Sequence, residues 1–166
     1  MGTLVWVYFY ASAWVVAVIL GAAALHKLRS SAEFIGAFAG YRLVPEVALK
    51  LWWVIPGLEV LAVIELLLSA GQSRWLATAL FTLYGLAIAI NLLRGRRDID
   101  CGCGGDGTPI SWTLVLRNVV LVALTLPQQI PNGAFTLNNG LLMSLTAVFC
   151  LLGYAIANQL LANSAR

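Results

Sequence analysis

The sequence predicts an all-α integral membrane protein, a compact bundle of about five transmembrane helices forming a single domain over residues 1–166. Three observations predict it: an apolar excess that no soluble fold of this size can hide, five long apolar runs, and breaker-rich connections between them. Of the 166 residues, 61% are hydrophobic and 10% charged, whereas a soluble domain averages about 25% charged. A soluble chain of this length buries only about two-thirds of the surface its unfolded form exposes. The bilayer therefore has to act as the solvent. The net charge of +3 does not indicate nucleic acid, because the cations lie in short loops between apolar runs, where membrane proteins keep them.

The apolar runs cover residues 4–25, 47–70, 75–93, 111–126 and 134–161. Most approach the roughly 20 residues a helix needs to cross about 30 Å of hydrocarbon. The fourth is short, and the fifth is long enough to require tilt or emergence from the membrane. The first run is too long for a signal-peptide core, lacks a basic flank before it, and is followed by four similar runs. Gly71-Gln72-Ser73-Arg74 forms a tight turn, and the segment 127–133, with two prolines and Asn132-Gly133, breaks the chain before the last run. Two longer connections remain, 26–46 and 94–110, and the short turns place both on one membrane face. Trp6, Trp52, Trp53, Trp75 and Trp112 fall near run ends, as an aromatic belt requires.

Two of the three cysteines, Cys101 and Cys103, stand one residue apart in the glycine-rich loop 94–110. Three chemistries suit them. A structural disulfide would close a very short ring, which constrains the unfolded chain little. A soft-metal site for copper or zinc would use both thiolates but needs further ligands, and His26 is the single histidine. A redox-active dithiol needs its two Cα atoms within about 7 Å, and Gly102, Gly104 and Gly105 supply the backbone freedom for that. Arg94, Arg96 and Arg97 precede the pair and would stabilise a thiolate, while Asp98, Asp100 and Asp106 oppose them. The glycines favour the redox reading. Cys150, in the last apolar run, reads as an inert packed thiol.

Ionisable groups inside apolar runs are expensive and default to pairing or function. Glu59 and Glu65 lie in the second run; Arg117 and Asn118 lie in the fourth. At about 1.5 Å per residue, Glu59 and Arg117 reach similar depth from the face bearing the long loops, which predicts a Glu59–Arg117 pair. Asn91, Arg94, His26, Lys27, Tyr41 and Arg42 crowd the same end. Such a cluster serves either as a network fixing helix register or as a polar cap over a pocket for a quinone-like carrier or a partner's disulfide.

These residues resemble the MauE branch of the DoxX-like redox-associated membrane proteins. The resemblance runs from Gly21 through Lys27-Leu28, Phe34, Tyr41-Arg42-Leu43-Val44-Pro45, Pro56 with Glu59, Asn91-Leu92-Leu93-Arg94-Gly95-Arg96, Asp100-Cys101-Gly102-Cys103-Gly104 and Arg117-Asn118. Gly105 stands where many members carry an aromatic residue. The resemblance implies a multi-pass protein of the bacterial inner membrane, acting in disulfide formation or protection during maturation of methylamine dehydrogenase. It also implies a thioredoxin-like partner or a secreted client, with Cys101 and Cys103 as the redox pair. The expected function is thus a membrane thiol–disulfide relay, with a quinone as a candidate onward acceptor. Its rivals are a soft-metal-binding protein or transporter using the same two cysteines, and a non-catalytic assembly factor. Topology signals conflict. Lys27, Arg29, Arg42, Lys50 and the loop arginines place the cysteine loop in the cytoplasm by charge bias, whereas disulfide chemistry favours the oxidising external face.

Overall fold

A computed structural model of the chain describes residues 2–102, 108–126 and 136–164. Its α-helices are α1 (Gly2–Arg29), α2 (Ser31–Tyr41), α3 (Val54–Leu68), α4 (Trp75–Leu93), α5 (Trp112–Thr125) and α6 (Leu137–Ser164), with a short 3-10 helix, Glu46–Leu51, leading into α3. The protein is an all-helical integral membrane protein. By length and composition α1, α4 and residues Leu137–Leu160 of α6 suffice to cross a bilayer, and α5 is a shorter apolar helix. The 127–133 break lies outside the described residues.

Helix α1 is the central post, packed against α2, α3, α5 and α6. Its 28 residues contain no proline, so nothing interrupts a rod of about 42 Å. Phe9, Val16 and Leu20 are almost wholly buried along it. Trp6 is buried as well, against Tyr10, instead of joining an aromatic belt at the lipid boundary. In α3, Pro56 stands in the first turn, where its missing N–H has no intrahelical acceptor to lose. Helices α4 and α5 pair closely because Gly85 leaves room for Asn118, whose Cβ lies 3.3 Å from where a Gly85 side chain would begin.

The connection 26–46, expected to be a loop, is mostly helical: α1 runs on to Arg29 and α2 follows after a one-residue turn. Helix α2 is too short to span a membrane, yet Phe34, Ala37 and Tyr41 recur at helical spacing and form its buried stripe. Arg42, at φ 48°, ends it in the left-handed region.

The end of the bundle away from the cysteine loop is knitted by Arg74. Its Nε donates to the Gly71 carbonyl at 2.7 Å, Nη2 to Phe9 O at 2.8 Å, and Nη1 to Ser12 Oγ at 2.8 Å and Leu124 O at 3.0 Å. One side chain thereby joins α1, the α3–α4 turn and the open C-terminus of α5. Burial lowers the Arg74 pKa from its ordinary value, with Tyr8 opposing the shift; arginine holds its proton through such a desolvation where lysine would yield it. Glu65, expected as a group inside the hydrocarbon, accepts from Ser73 Oγ and from the Leu76 N–H at 3.1 Å, so it caps the start of α4.

The turn feeding Arg74 is a Schellman closure. The Gly71 N–H reaches Leu66 O at 2.7 Å and the Ala70 N–H reaches Leu67 O at 3.2 Å. Gly71 has φ +78° and a Cβ there would stand 2.7 Å from Ala13 Cβ, whereas Gly95, at φ +75°, has nothing within 4 Å of its Cβ position. Gly71→Ala is therefore expected to lower stability by about 2–4 kcal/mol, combining left-handed strain with overpacking, and Gly95→Ala by about 1 kcal/mol from strain alone. Thermal unfolding of both variants in detergent checks the difference; equal shifts would contradict the crowding at Gly71.

Candidate functional site

The cysteine loop is a small hairpin standing on the end of α4 and feeding α5. Its geometry begins with Arg94-Gly95-Arg96. Gly95 adopts the left-handed conformation at the C-terminus of α4, its N–H bonded to Leu92 O and the Arg96 N–H to Asn91 O, both at 3.0 Å. That reversal turns Arg96 back over the bundle. Its guanidinium donates to Gly40 O at 2.8 Å, Tyr41 O at 3.2 Å and Asn91 Oδ1 at 3.0 Å. It caps the C-terminus of α2, where the helix dipole favours a cation. Arg94 and Arg97 are exposed. Of the three arginines expected to act on a thiolate, Arg96 is engaged as a clamp on α2 carbonyls.

The hairpin is then closed by Ile110 N–H to Ile99 O at 2.9 Å and Cys101 N–H to Thr108 O at 3.0 Å. Ile99 and Ile110 pack with Tyr41, Ile88, Leu92 and Leu114, and Cys101 lies against this cluster, partly exposed. Three contacts fix Cys101 from above and behind. Asp100 Oδ1 accepts the Gly102 N–H at 2.7 Å, an Asx turn. Tyr41 Oη donates to the Cys101 carbonyl at 3.2 Å. Gly102, at φ +66°, approaches α2 so closely that a Cβ would stand 3.2 Å from Ala37 Cβ and 3.6 Å from the Phe34 ring. The two long connections thus meet at one end of the bundle, as the short turns predict. Cys103, Gly104, Gly105 and Asp106 lie outside the described residues. Among the described residues no group of three or more His, Cys, Asp and Glu side chains lies together as a metal site would require.

Beneath α2 is a second polar centre. Lys27 Nζ lies 2.6 Å from Glu59 Oε1, and Tyr84 Oη donates to the same oxygen at 2.8 Å. Lys27 is 4% exposed and Glu59 0%. The ammonium also faces the rings of Phe34 and Tyr84, each 5.5 Å to the centroid. Phe34 therefore separates this charged centre from Gly102 above it. The sequence predicts Glu59 paired with Arg117; the ion-pair partner that the structure places on Glu59 is Lys27. Arg117 Nη1 instead donates to Asn158 Oδ1 at 3.1 Å, joining α5 to α6. Depth placed the two groups at one level but carried no information on which helix faces which. Lys27, which the sequence places in the polar cluster at the loop-bearing end, is made internal by α2, whose Phe34 covers it. Tyr84 carried no signal beyond being aromatic, and Phe34 entered only through the family resemblance.

Asn91 is fully buried and bridges, receiving Arg96 and donating through Nδ2 to Ala87 O at 3.1 Å. Asn118 is buried and donates to Leu114 O at 2.8 Å, within α5. Cys150 is exposed on α6, away from the hairpin, where the sequence suggested a packed thiol.

A cysteine hairpin clamped on the end of an apolar helical bundle defines a small helical membrane protein with a backbone-anchored loop at one end. The family model described as "Methylamine utilisation protein MauE" matches residues 1–130. The chain is 37% identical over 155 residues to methylamine utilization protein MauE of Paracoccus denitrificans, covering 87% of this chain and 83% of that protein. It is 38% identical over 137 residues to the protein of that name from Paracoccus versutus (76% and 74% covered) and 39% identical over 133 residues to that from Methylorubrum extorquens (74% and 72%). No solved structure matches the chain. The chain belongs to the MauE family, and α6 extends beyond the family-matched region.

Removing one member of a buried ion pair strands the other charge, whereas removing both leaves an apolar contact. Lys27→Met is expected to lower stability by about 3–5 kcal/mol, and Lys27→Met combined with Glu59→Leu to recover most of it. Unfolding midpoints of the three proteins in detergent check this; a double variant as unstable as the single would show that Glu59 holds the bundle through Tyr84 instead.

Proposed function

We propose that the chain is a thiol–disulfide relay protein of the bacterial inner membrane, acting in methylamine utilisation as the names of its relatives suggest. In this reading Cys101 and Cys103 exchange electrons with a thioredoxin-like partner or a secreted client. A thiolate attacks the partner's disulfide, a mixed disulfide forms, and the second cysteine resolves it. The single observation that carries the reading is the presentation of Cys101. Its carbonyl, its N–H and the next residue's N–H are all held, and the residue as a whole is partly exposed at the end of the bundle. A hairpin anchored by its backbone keeps its fold through a change in the oxidation state of its sulfurs, which repeated turnover requires. Arg96 and Tyr41 are positioning residues in this scheme, and Asn91 supports Arg96.

The test is thiol exchange in membranes carrying cysteine variants. Cys101→Ser and Cys103→Ser are each expected to abolish exchange while leaving the helices folded, and one of them to trap a mixed disulfide with the partner. Cys150→Ala is expected to exchange like the wild type. Full activity in the Cys101→Ser/Cys103→Ser form would overturn the reading. Stoichiometric copper or zinc, bound by the wild type and lost in that form, would replace it with metal handling.

A further inference from the structure

The strap that leaves α2 and enters the 3-10 helix has no part in the chemistry above. It starts at Tyr41, whose Oη holds the Cys101 carbonyl at 3.2 Å, so it is tied directly to the cysteine hairpin. Arg42 turns the chain in the left-handed region, at φ 48° and ψ 39°, where a glycine would serve with less strain. Its N–H is committed to Ala39 O at 3.1 Å, and its side chain is exposed. The chain bends at Val44, and Pro45 follows in extended backbone at φ −65° and ψ 153°. The 3-10 helix Glu46–Leu51 then buries none of its residues. Leu43 and Val44 are each 37% exposed, and Val47 is 75% exposed. Among the described residues no hydrogen bond reaches the N–H or C=O of Leu43 or Val44. Val44 is three residues from Tyr41, so chain length keeps the two within about 11 Å. A partner covering about 800 Å² reaches both the strap and the partly exposed Cys101.

Hydrocarbon is a poor cover for this patch. It would leave the N–H groups of Leu43 and Val44 without acceptors, and the exposed charges of Arg42 and Glu46 flank them. A matching cover brings apolar surface and hydrogen-bonding groups together, as a peptide does. Charge selects further. Among the described residues every exposed charged side chain lies within 29–50 or 94–98, five cations and three anions. The excess at this end is positive, and Arg42 is the cation next to the open backbone. We infer that the strap 42–47 docks the partner's reactive segment, a short extended stretch that carries a cysteine, an apolar neighbour and an acidic residue. The inference rests on the thiol–disulfide reading above and supplies its recognition surface. The open groups of Leu43 and Val44 pair with the segment's backbone. Leu43, Val44 and Val47 cover its apolar side chain, and Arg42 meets its carboxylate. The covalent step balances: a hairpin thiolate attacks the partner's disulfide, one S–S bond forms as one breaks, and the leaving thiolate takes up the proton the hairpin thiol released.

The test uses the full chain carrying Cys150→Ala, in detergent, reduced and freed of reductant. The probes are two disulfides of thionitrobenzoate. One joins it to a short peptide whose single cysteine is flanked by leucine and glutamate, the other to N-acetylcysteine. Release of the coloured thionitrobenzoate anion gives both rates, and the form that also carries Cys101→Ser and Cys103→Ser gives the blank. The peptide is expected to react about tenfold faster than the N-acetylcysteine probe, a gain that needs only a few interface contacts. Val44→Asp and Val47→Asp are each expected to lower that ratio about tenfold, and Arg42→Glu about threefold, as an exposed ion pair allows. Replacing the peptide's glutamate with lysine is expected to reverse the order of wild type and Arg42→Glu. Methylating the peptide's backbone nitrogen beside the cysteine is expected to lower the ratio about fivefold, the effect of one hydrogen bond. A ratio near one, or one that these changes leave unmoved, overturns the inference while the relay stands, because both probes still react. If neither probe reacts above the blank, the relay fails and the inference with it. A preference present in detergent and absent in nanodiscs of phosphatidylethanolamine and phosphatidylglycerol assigns the strap to lipid and overturns the inference.

Discussion

Lys27, Glu59 and Tyr84 come from α1, α3 and α4, and their shared contact at one carboxylate oxygen decides how those helices face each other. The physical reason is the solvent. Hydrocarbon lipid is as apolar as leucine, so lipid gives an apolar helix no preferred rotation about its own axis. A charged group changes that, because it must find its counter-charge inside the protein. Such a pair adds little net free energy over a well-packed apolar substitute, since desolvation offsets the attraction. Its consequence is orientation. With Lys27 turned inward, Phe34 has a cation to cover, and α2 is drawn down over the end of the bundle. The hairpin then has a surface to rest on, and Gly102 meets Phe34 and Ala37.

The two ends of the bundle solve the same problem with different chemistry. At the Arg74 end the cation is neutralised by backbone and hydroxyl oxygens from α1, α5 and the α3–α4 turn, a rigid four-bond arrangement that satisfies helix-end carbonyls. At the cysteine end, Arg96 performs the equivalent task on α2 from a segment outside any helix, reached through the Gly95 reversal. The first arrangement closes a structure. The second holds a loop by its backbone.

The class of the fold was legible because it rests on composition and run length, which the bilayer dictates directly. Helix α4 matches its apolar run to the residue, and α5 starts within one residue of its own. The second run was split, with a 3-10 helix ahead of a 15-residue α3, because hydropathy does not register a change of helix type. Helix α2 was missed since a search for spans of about 20 apolar residues passes over an 11-residue helix whose stripe is Phe34, Ala37 and Tyr41. Glu59 was legible as an ionisable group in an apolar run, but the buried Arg74 reads in the sequence only as part of a turn, and Lys27 as the partner of Glu59 was not foreseen. Glu59, Glu65, Lys27 and Arg117 each found a partner through helix rotation, a quantity that single-helix depth does not contain.

That distinction also separates the role of Arg96 from its neighbours. The sequence presents Arg94, Arg96 and Arg97 as three equal cations ahead of a thiol pair, and a charge argument treats them alike. Only one can follow a left-handed glycine at the interval that completes a Schellman closure, and that one is Arg96. Its backbone N–H is already committed to Asn91 O, so its side chain leaves the helix end in a fixed direction, toward the C-terminus of α2. Arg94 and Arg97 point into solvent or headgroups, where membrane anchoring accounts for them. The Arg-Gly-Arg spacing is therefore a statement about backbone geometry: one glycine sets the direction, one arginine joins the cysteine hairpin to the helix it rests on, and Cys101 inherits its position from both.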